Sequence, residues 1–334
     1  MLRISKISFP GLGIDEFEVN SEAFNIFGIS IAWYAVIITI GMIAAVAYTI
    51  FRARKIGITV DDVIDYALFA IPIGIIGARL YYVVTNLDQY HTFMDVINIR
   101  NGGLAIYGGI IFGALAVIGV SYFKKISFMA IADCCTPGII LAQAIGRWGN
   151  FANGEAFGMS PTLLESQQGT IEQTDIFCRM GLNNVLTGNQ LTFVHPTFLY
   201  ESLWNLLGFV LVNLFFKHKK YDGQVFLLVF GWYALGRAMI EPFRTDSMFM
   251  FGIKSNFILP LIILAIVIVA LVFFAVKKPN KPLYVKQAKN AGEAVEAGCA
   301  KKESVSFKET VKSIWEKIKN LVNKIKNSIF NNKE

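Results

Sequence analysis

Arg147, Asn150, Asn153 and Glu155 fall within one short stretch, "GRWGNFANGEAFG", whose four glycines end at Gly158. A guanidinium fork can hold a phosphate bidentately, which an ammonium cannot. The two amides can donate to phosphate or ester oxygens, or satisfy backbone groups freed where a helix ends. Glu155 can neutralise an arginine, orient it, or take a proton. The glycines remove bulk where another backbone or a ligand must come close. A second set, Tyr233, Arg237, Glu241 and Arg244, is spaced i, i+4, i+8, i+11, which puts it on one face of a helix. Together the two sets carry groups that bind an anion and handle a proton beside it. No CxxC or Cys/His ligand spacing occurs, so neither a metal nor a cofactor is expected.

The elements that must position these residues are membrane helices. With 54% apolar residues, 13% aromatics and 16% charge, 334 residues have too little polar surface for a soluble globule. The apolar residues come in blocks of about twenty, enough to cross ~30 Å of hydrocarbon as helix. Seven such blocks are predicted, at 30–51, 64–85, 103–123, 128–147, 196–216, 223–243 and 256–276. The fold class is therefore an all-α integral membrane protein with seven transmembrane helices. The N-terminal twenty residues lack an apolar core and a small-residue cleavage site, so the first span is expected to target the chain.

Basic residues near the span ends set the orientation. Arg52, Arg54 and Lys55 follow span one, and Lys124 and Lys125 lie between spans three and four. Lys217, Lys219 and Lys220 lie between five and six, and Lys277 and Lys278 follow seven. The N-terminus is thus expected outside and the C-terminus in the cytoplasm. On that frame Tyr34, Arg79, Tyr107, the Arg147–Glu155 group, His195, Tyr200, Glu201 and the Tyr233–Arg244 stripe all belong to the outer half of the bilayer. They come from six different spans. Asp133 and Asn205 lie deeper, and Asp133 is expected to make a structural polar contact.

An ionised side chain at mid-bilayer costs ~2.5–3.5 kcal/mol or more, so such residues face a bundle interior or a wet cavity. A single arginine or asparagine at a span end often only snorkels or caps, and glycine spacing often only lets helices pack. A whole cluster matched by a second Arg/Glu stripe at the same depth favours a site instead.

The stretch "GRWGNFANGEAFG" closely resembles the signature of the bacterial prolipoprotein diacylglyceryl transferases. The segments "ISIAWYAVIITIG", "GARLYYV", "GGLAIYGG", "HPTFLYES" and "GRAMIEPFR" match in order, over roughly residues 10–278. The resemblance implies a multi-pass enzyme of the bacterial plasma membrane, with its active site toward the outer leaflet. It implies transfer of the diacylglyceryl group of phosphatidylglycerol to the lipobox cysteine of a prolipoprotein signal peptide, forming a thioether and releasing glycerol phosphate. This is the first step of lipoprotein maturation, and its partners are those two substrates and the lipid bilayer.

The resemblance also implies functional roles for Arg147, Asn150, Asn153, Glu155, Gly158, Tyr233, Arg237, Glu241 and Arg244. Arg147 and Arg237 are the expected phosphate-stabilising groups, assisted by Asn150, with Tyr107 and Glu155 as further catalytic candidates. Tyr107 stands where family members often carry histidine. A tyrosine of pKa ~10 is a poor base at neutral pH. Tyr107 is read as a hydrogen-bonding contact to lipid or thiol, leaving deprotonation to the arginine-rich field, Glu155 or water. Tyr34 resembles a lipid-binding position of the family, and an interfacial aromatic is equally compatible.

His195 reads either as a substrate or proton-handling group or as a helix-opening residue before Pro196. Tyr200 and Glu201 read as supports. Arg79 reads as a headgroup ligand or as the partner of Glu201 or Glu241, and pairing is favoured. The competing function is an anionic-solute or lipid transporter using the same arginine-lined cavity. Paired halves and midplane polar residues would mark one, whereas here the polar residues sit to one side and no repeat is evident.

Two segments lie outside this pattern. Residues 159–194, polar and irregular, are expected to form a small outer loop subdomain. After the membrane domain of residues 1–278, residues 279–303 read as a linker and 304–334 as a cationic amphipathic helix. That helix is expected at the cytoplasmic membrane surface, with a coiled-coil contact as the competing view. Residues 277–334 hold 14 lysines against 6 acidic residues, a surplus of +8 within a net charge of +7, so the preceding chain carries about −1. The basic character belongs to the tail, and nucleic acid is not an expected partner. Cys134 and Cys135 adjoin each other in a span, Cys178 lies in a loop and Cys299 in the tail, which is no disulfide framework.

Overall fold

The computed structural model describes residues 4–26, 28–90, 92–98, 102–158, 178–244, 249–250, 253–277 and 316. The chain divides into two units, Met1–Ala288 and Lys289–Glu334. Apart from Glu316, the amphipathic tail expected from residue 304 lies outside the described residues, as does the 159–177 part of the loop.

Among the described residues eight α-helices form the frame: α1 Trp33–Ala53, α2 Val60–Thr85, α3 Phe93–Ile97, α4 Ile106–Lys124, α5 Phe128–Asn153, α6 Thr197–Phe215, α7 Gln224–Ile240 and α8 Ser255–Lys277. All but the short α3 are long and apolar enough to cross a membrane, which gives the seven spans that the hydropathy predicts. The central helix is α5. It packs against α1, α6 and α7, while α2 pairs with α4 and α8 covers α7. Within its apolar window α5 is 56% buried, against 11–39% for the other six spans.

Charged side chains lock the end of the bundle where α1 finishes and α2 begins. Thr59 caps α2 reciprocally with Asp62. Lys124 at the end of α4 then reaches Asp62 at 2.6 Å and Asp65 at 2.7 Å. Asp133 of α5, fully buried, accepts the backbone N–H groups of Gly223 and Phe226, both at 2.7 Å. Those amides open α7, so the carboxylate caps that helix from a neighbour and complements its positive end. Lys219 completes the arrangement at 2.8 Å from Asp133 and 2.7 Å from Asp222. Burial works against the Lys219 charge, and the Asp133 carboxylate beside it outweighs that effect, holding its pKa above the ordinary lysine value. Arg52 binds Asn213 and donates to the Tyr48 hydroxyl at 2.7 Å.

The opposite end carries a sheet that hydropathy alone does not announce. Strands β1 Ile4–Phe9 and β2 Ile14–Asn20 form a hairpin with Ile4 opposite Asn20. Strand β5 Met180–Asn183 pairs with β1 and with β6 Thr192–Val194, so the antiparallel order is β2-β1-β5-β6. Short β3 Glu22–Ile26 and β4 Ile29–Ala32 lead into α1, and β7 Phe249–Met250 pairs with β8 Ile253–Lys254. Alternate residues of β1 point inward, and its Ile7 and Phe9 pack with Met180 and Leu182 of β5 and Val194 of β6 on Phe198 and against Phe151 and Phe157. The sheet therefore seats on the last turns of α5 and the first turn of α6.

Candidate active site

Two helix ends build the site. Helix α5 runs to Asn153, six residues beyond the predicted end of its span. Arg147, Asn150 and Asn153 therefore lie on its last two turns, not past its end. The apolar run stops near residue 147, but the backbone hydrogen-bond ladder does not, and Gly154 in the left-handed conformation ends it. Helix α7 shows the reverse. It stops at Ile240, and Glu241–Phe243 form a tighter 3-10 turn containing Pro242, which lacks the amide that a continuing helix needs. Arg244 lies on extended backbone, so it is not the last member of a continuous helical face. It reaches the same region through a bridge to Gly158.

The Glu201 carboxylate on α6 gathers the arginines. It is 4% exposed and binds Arg147, lies 2.5 Å from Arg244 and lies 3.5 Å from Arg237. Arg237 also binds Glu241, which is fully buried. The second oxygen of Glu241, Oε1, is buried without a hydrogen-bond partner among the described residues. Three guanidiniums thus outnumber the two carboxylates they share. Side-chain exposure grades from 9% at Arg244 through 14% at Arg237 to 21% at Arg147, so Arg147 is the most open to a ligand. Beside them a small hollow is lined by Glu201, Trp204, Asn205, Tyr233, Gly236 and Arg237.

The rest of the "GRWGNFANGEAFG" stretch closes around this group. Asn153 donates to Glu155 at 3.1 Å, and the Glu155 amide donates to the Asn150 carbonyl at 3.0 Å. Tyr34 at the start of α1 packs on Gly149 and lies within electrostatic reach of Glu155 and Arg147. Gly158 donates its N–H to the His195 carbonyl at 2.9 Å. A Cβ at Gly158 would lie 2.6 Å from the His195 Cβ and 2.7 Å from the Phe243 carbonyl, so only glycine fits. His195 itself is buried, and burial lowers its pKa below the ordinary histidine value.

Two sequence-predicted residues stand apart. Arg79 does not pair with Glu201 or Glu241. Its guanidinium donates to the carbonyls of Asp95, Val96, Asn98, Gly102 and Gly103, at 2.6–2.9 Å. The connector after α2 leaves these carbonyls without a regular ladder, and one fully engaged guanidinium satisfies them. Tyr107, on the first turn of α4, is 40% exposed and lies beside the Tyr81 ring of α2 at 6.5 Å. Asp133 makes the structural contact that its setting suggests, capping α7.

Comparison with known sequences identifies the family. The model of the prolipoprotein diacylglyceryl transferase family matches residues 21–273, which take in every member of the arginine cluster. The chain belongs to that family. It is 41% identical over 276 residues to the phosphatidylglycerol–prolipoprotein diacylglyceryl transferase of Enterococcus faecalis, covering 81% of this chain and 95% of that protein. The transferase of the same description from Clostridioides difficile is 41% identical over 265 residues, with 78% and 98% covered. That of Clostridium kluyveri is 43% identical over 233 residues, with 70% and 88% covered. This member of the transferase family is therefore a multi-pass membrane enzyme of lipoprotein biosynthesis.

The candidate site also rests on residues that sequence reading passed over. Trp204 of α6 and Trp232 of α7 stack with ring centroids 4.3 Å apart. Each indole N–H donates to the other residue's carbonyl, at 3.1 and 3.0 Å. The pair ties α6 to α7 one turn from Glu201 and Arg237, with Trp204 seated on Gly236 and Trp232 on Gly208. Tryptophan facing glycine across two spans was the available signal, but apolar pattern alone does not say which spans are neighbours. Trp148 adds a bond to Ser202 at 3.2 Å, and Ser202 bonds the Ala144 carbonyl at 2.9 Å, joining α5 to α6.

Proposed function

We propose that the arginine cluster holds the phosphate of phosphatidylglycerol while the thiol of a prolipoprotein's lipobox cysteine displaces it from the diacylglyceryl carbon. The observation that carries this reading is the shared Glu201: Arg147 from α5 and Arg237 from α7 meet on one buried carboxylate. The carboxylate fixes both forks without occupying all of their N–H groups. In the reaction a C–S bond forms at the glycerol CH₂ as its C–O bond to phosphate breaks. The phosphate changes from a monoanionic diester to a monoester with a second ionisation near pH ~6, as for phosphorylated side chains. Negative charge thus grows on it in the transition state. Arginines held in a poorly hydrated site stabilise that growth more than they stabilise the bound lipid, which is what raises the rate.

Arg147, the most exposed of the three, makes the first contact with phosphate in this reading, and Arg237 joins as charge builds. Arg244 anchors Glu201. Asn150, Asn153, Tyr34 and Tyr233 line the approach, and Gly158 keeps the His195 backbone close. The unpartnered Glu241 oxygen suits a donor such as a hydroxyl of the lipid's glycerol headgroup. Glu155 balances charge near Arg147, and Tyr107 and Arg79 shape the wall formed by α2 and α4. The lysine- and arginine-rich connections gather at the bundle end remote from this cluster. By the positive-inside rule that end faces the cytoplasm and the site lies toward the outer leaflet of a bacterial plasma membrane.

The test incubates purified protein with phosphatidylglycerol and a lipobox peptide, and follows the peptide's mass gain of one diacylglyceryl group. Arg147→Ala and Arg237→Ala are each expected to lower kcat on the order of a hundredfold, the loss typical of removing one preorganised donor. Undiminished transfer by both variants would overturn the phosphate role. Absence of transfer by the unmodified protein would favour transport of an anion through the same cluster.

A further inference from the structure

We propose that Tyr200 and His195 form the relay that takes the proton from the attacking thiol. The inference rests on the transfer reading above and adds the base that reading lacks.

Three titratable side chains form a line at the edge of the site. The Cys178 sulfur lies 3.2 Å from the Tyr200 hydroxyl, and that hydroxyl lies 3.3 Å from His195 Nδ1. Of the three cysteines among the described residues, Cys178 is the one within hydrogen-bond distance of a titratable side chain. Cys134 is buried in the cluster of Ile58, Tyr66 and Ile131, and the Cys135 thiol turns to the Ala132 carbonyl of its own helix. The chain's own thiol therefore shows that the Tyr200 oxygen accepts a sulfur neighbour with the imidazole behind it. The line adjoins the arginine cluster. The imidazole packs on the Phe243 ring at 5.2 Å, next to Arg244, and the His195 carbonyl holds Gly158, which bridges to Arg244. Tyr200 directly precedes Glu201 on α6.

The chemistry balances without a cofactor. A neutral imidazole protonated on Nε2 leaves Nδ1 as an acceptor. The phenol O–H donates to Nδ1, and the incoming thiol, displacing the Cys178 sulfur from its place beside Tyr200, donates S–H to the phenol oxygen. Shifting both protons gives a thiolate and an imidazolium and leaves the phenol neutral. The thiolate sulfur attacks the glycerol CH₂, and the C–O bonding pair departs on the phosphate oxygen. The monoester then takes the imidazolium proton and restores the starting state. A free thiol with pKa ~8.5 supplies only a few per cent thiolate at pH ~7, so a base of this kind has a rate advantage to give.

The groups around the imidazole are the Tyr200 phenol, the Cys178 thiol beyond it, the Phe243 ring, and the Arg244 cation across the Gly158 bridge. Burial favours the uncharged ring, so His195 is neutral and able to accept a proton throughout the neutral range. Activity in the unmodified protein is expected to fall only as pH drops below the ordinary histidine range, where the imidazole becomes charged.

The experiment compares Tyr200→Phe and His195→Gln with the unmodified protein on two lipobox peptides, one with cysteine and one with selenocysteine. The selenol is already ionised at neutral pH and needs no base. On the cysteine peptide at pH 7, kcat is expected to fall on the order of a hundredfold, with the deficit closing as pH approaches the thiol's own pKa of ~8.5. On the selenocysteine peptide both variants are expected to run close to the unmodified rate. Equal losses on both peptides would mean that Tyr200 and His195 only hold the structure, and unchanged rates on cysteine would remove them from the reaction. Either result overturns the relay. Failure of the unmodified protein on both peptides would instead sink the transfer reading beneath it.

Discussion

Glu201 and Glu241 are buried carboxylates whose position is tolerable only because guanidiniums come to meet them. Removing one partner from a buried ion pair typically costs ~3–5 kcal/mol, because an uncompensated charge is left behind. Glu201→Gln keeps the side-chain shape and removes the charge that Arg147, Arg237 and Arg244 share, with Arg237 keeping Glu241, so we expect a loss of roughly that size and loss of transfer. Thermal unfolding in detergent, read with the peptide assay, checks it, and an unchanged melting temperature would refute the central role of Glu201. The partners of Glu201 were not readable from the chain. A glutamate opening a span signals that something must neutralise it, but not that three distant arginines do so. For Arg79 the same uncertainty fell the other way: sequence favoured a carboxylate partner, and the structure supplies five carbonyls.

Elements carry these residues to one place by stopping where they do. Helix α5 outlasts its apolar run by two turns, which keeps Arg147 and Asn150 on a rigid axis, whereas α7 ends early and lets Arg244 swing onto extended backbone beside Gly158. The Trp204–Trp232 stack then sets the spacing of α6 and α7. Gly236→Ala tests that spacing, because the added Cβ would overlap the Trp204 indole. Overpacking of this kind costs about 1–3 kcal/mol. Lower thermal stability and impaired transfer are expected together, since Arg237 is the next residue. An alanine variant as stable and active as the parent would show that the stack can move freely. Span positions were legible because membrane helices must satisfy every backbone group internally and therefore leave long apolar runs. Helix ends were not, since hydropathy records where lipid stops and not where the hydrogen-bond ladder stops.

At the scale of the whole molecule, the family match stops at residue 273 while the chain runs on to 334 with a surplus of lysine. The site draws its described residues from 34 to 244, none of them in that tail. Deleting residues 280–334 is accordingly expected to leave turnover on phosphatidylglycerol and lipobox peptide near normal. A large loss of kcat in the truncated protein would contradict this. The N-terminal hairpin shows what pattern reading can miss at this scale. Its alternation of inward Ser5, Ile7 and Phe9 is only three residues deep, and it gains meaning only when β5, some 170 residues later, pairs with it.

The sequence by itself determined the seven spans, the concentration of polar chemistry toward one end of them, and a signature specific enough to identify the family. Each of these is local, written in runs and spacings that the chain carries whatever its neighbours do. Only the tertiary structure decided that Glu201 is the common partner of the arginines, that Arg79 serves backbone instead, and that a thiol, a phenol and an imidazole stand in line beside them. Those are contacts between helices far apart in the chain. Burial makes them mandatory by the cost of a lone charge or an unpaired donor, but which groups answer that cost depends on how the helices pack.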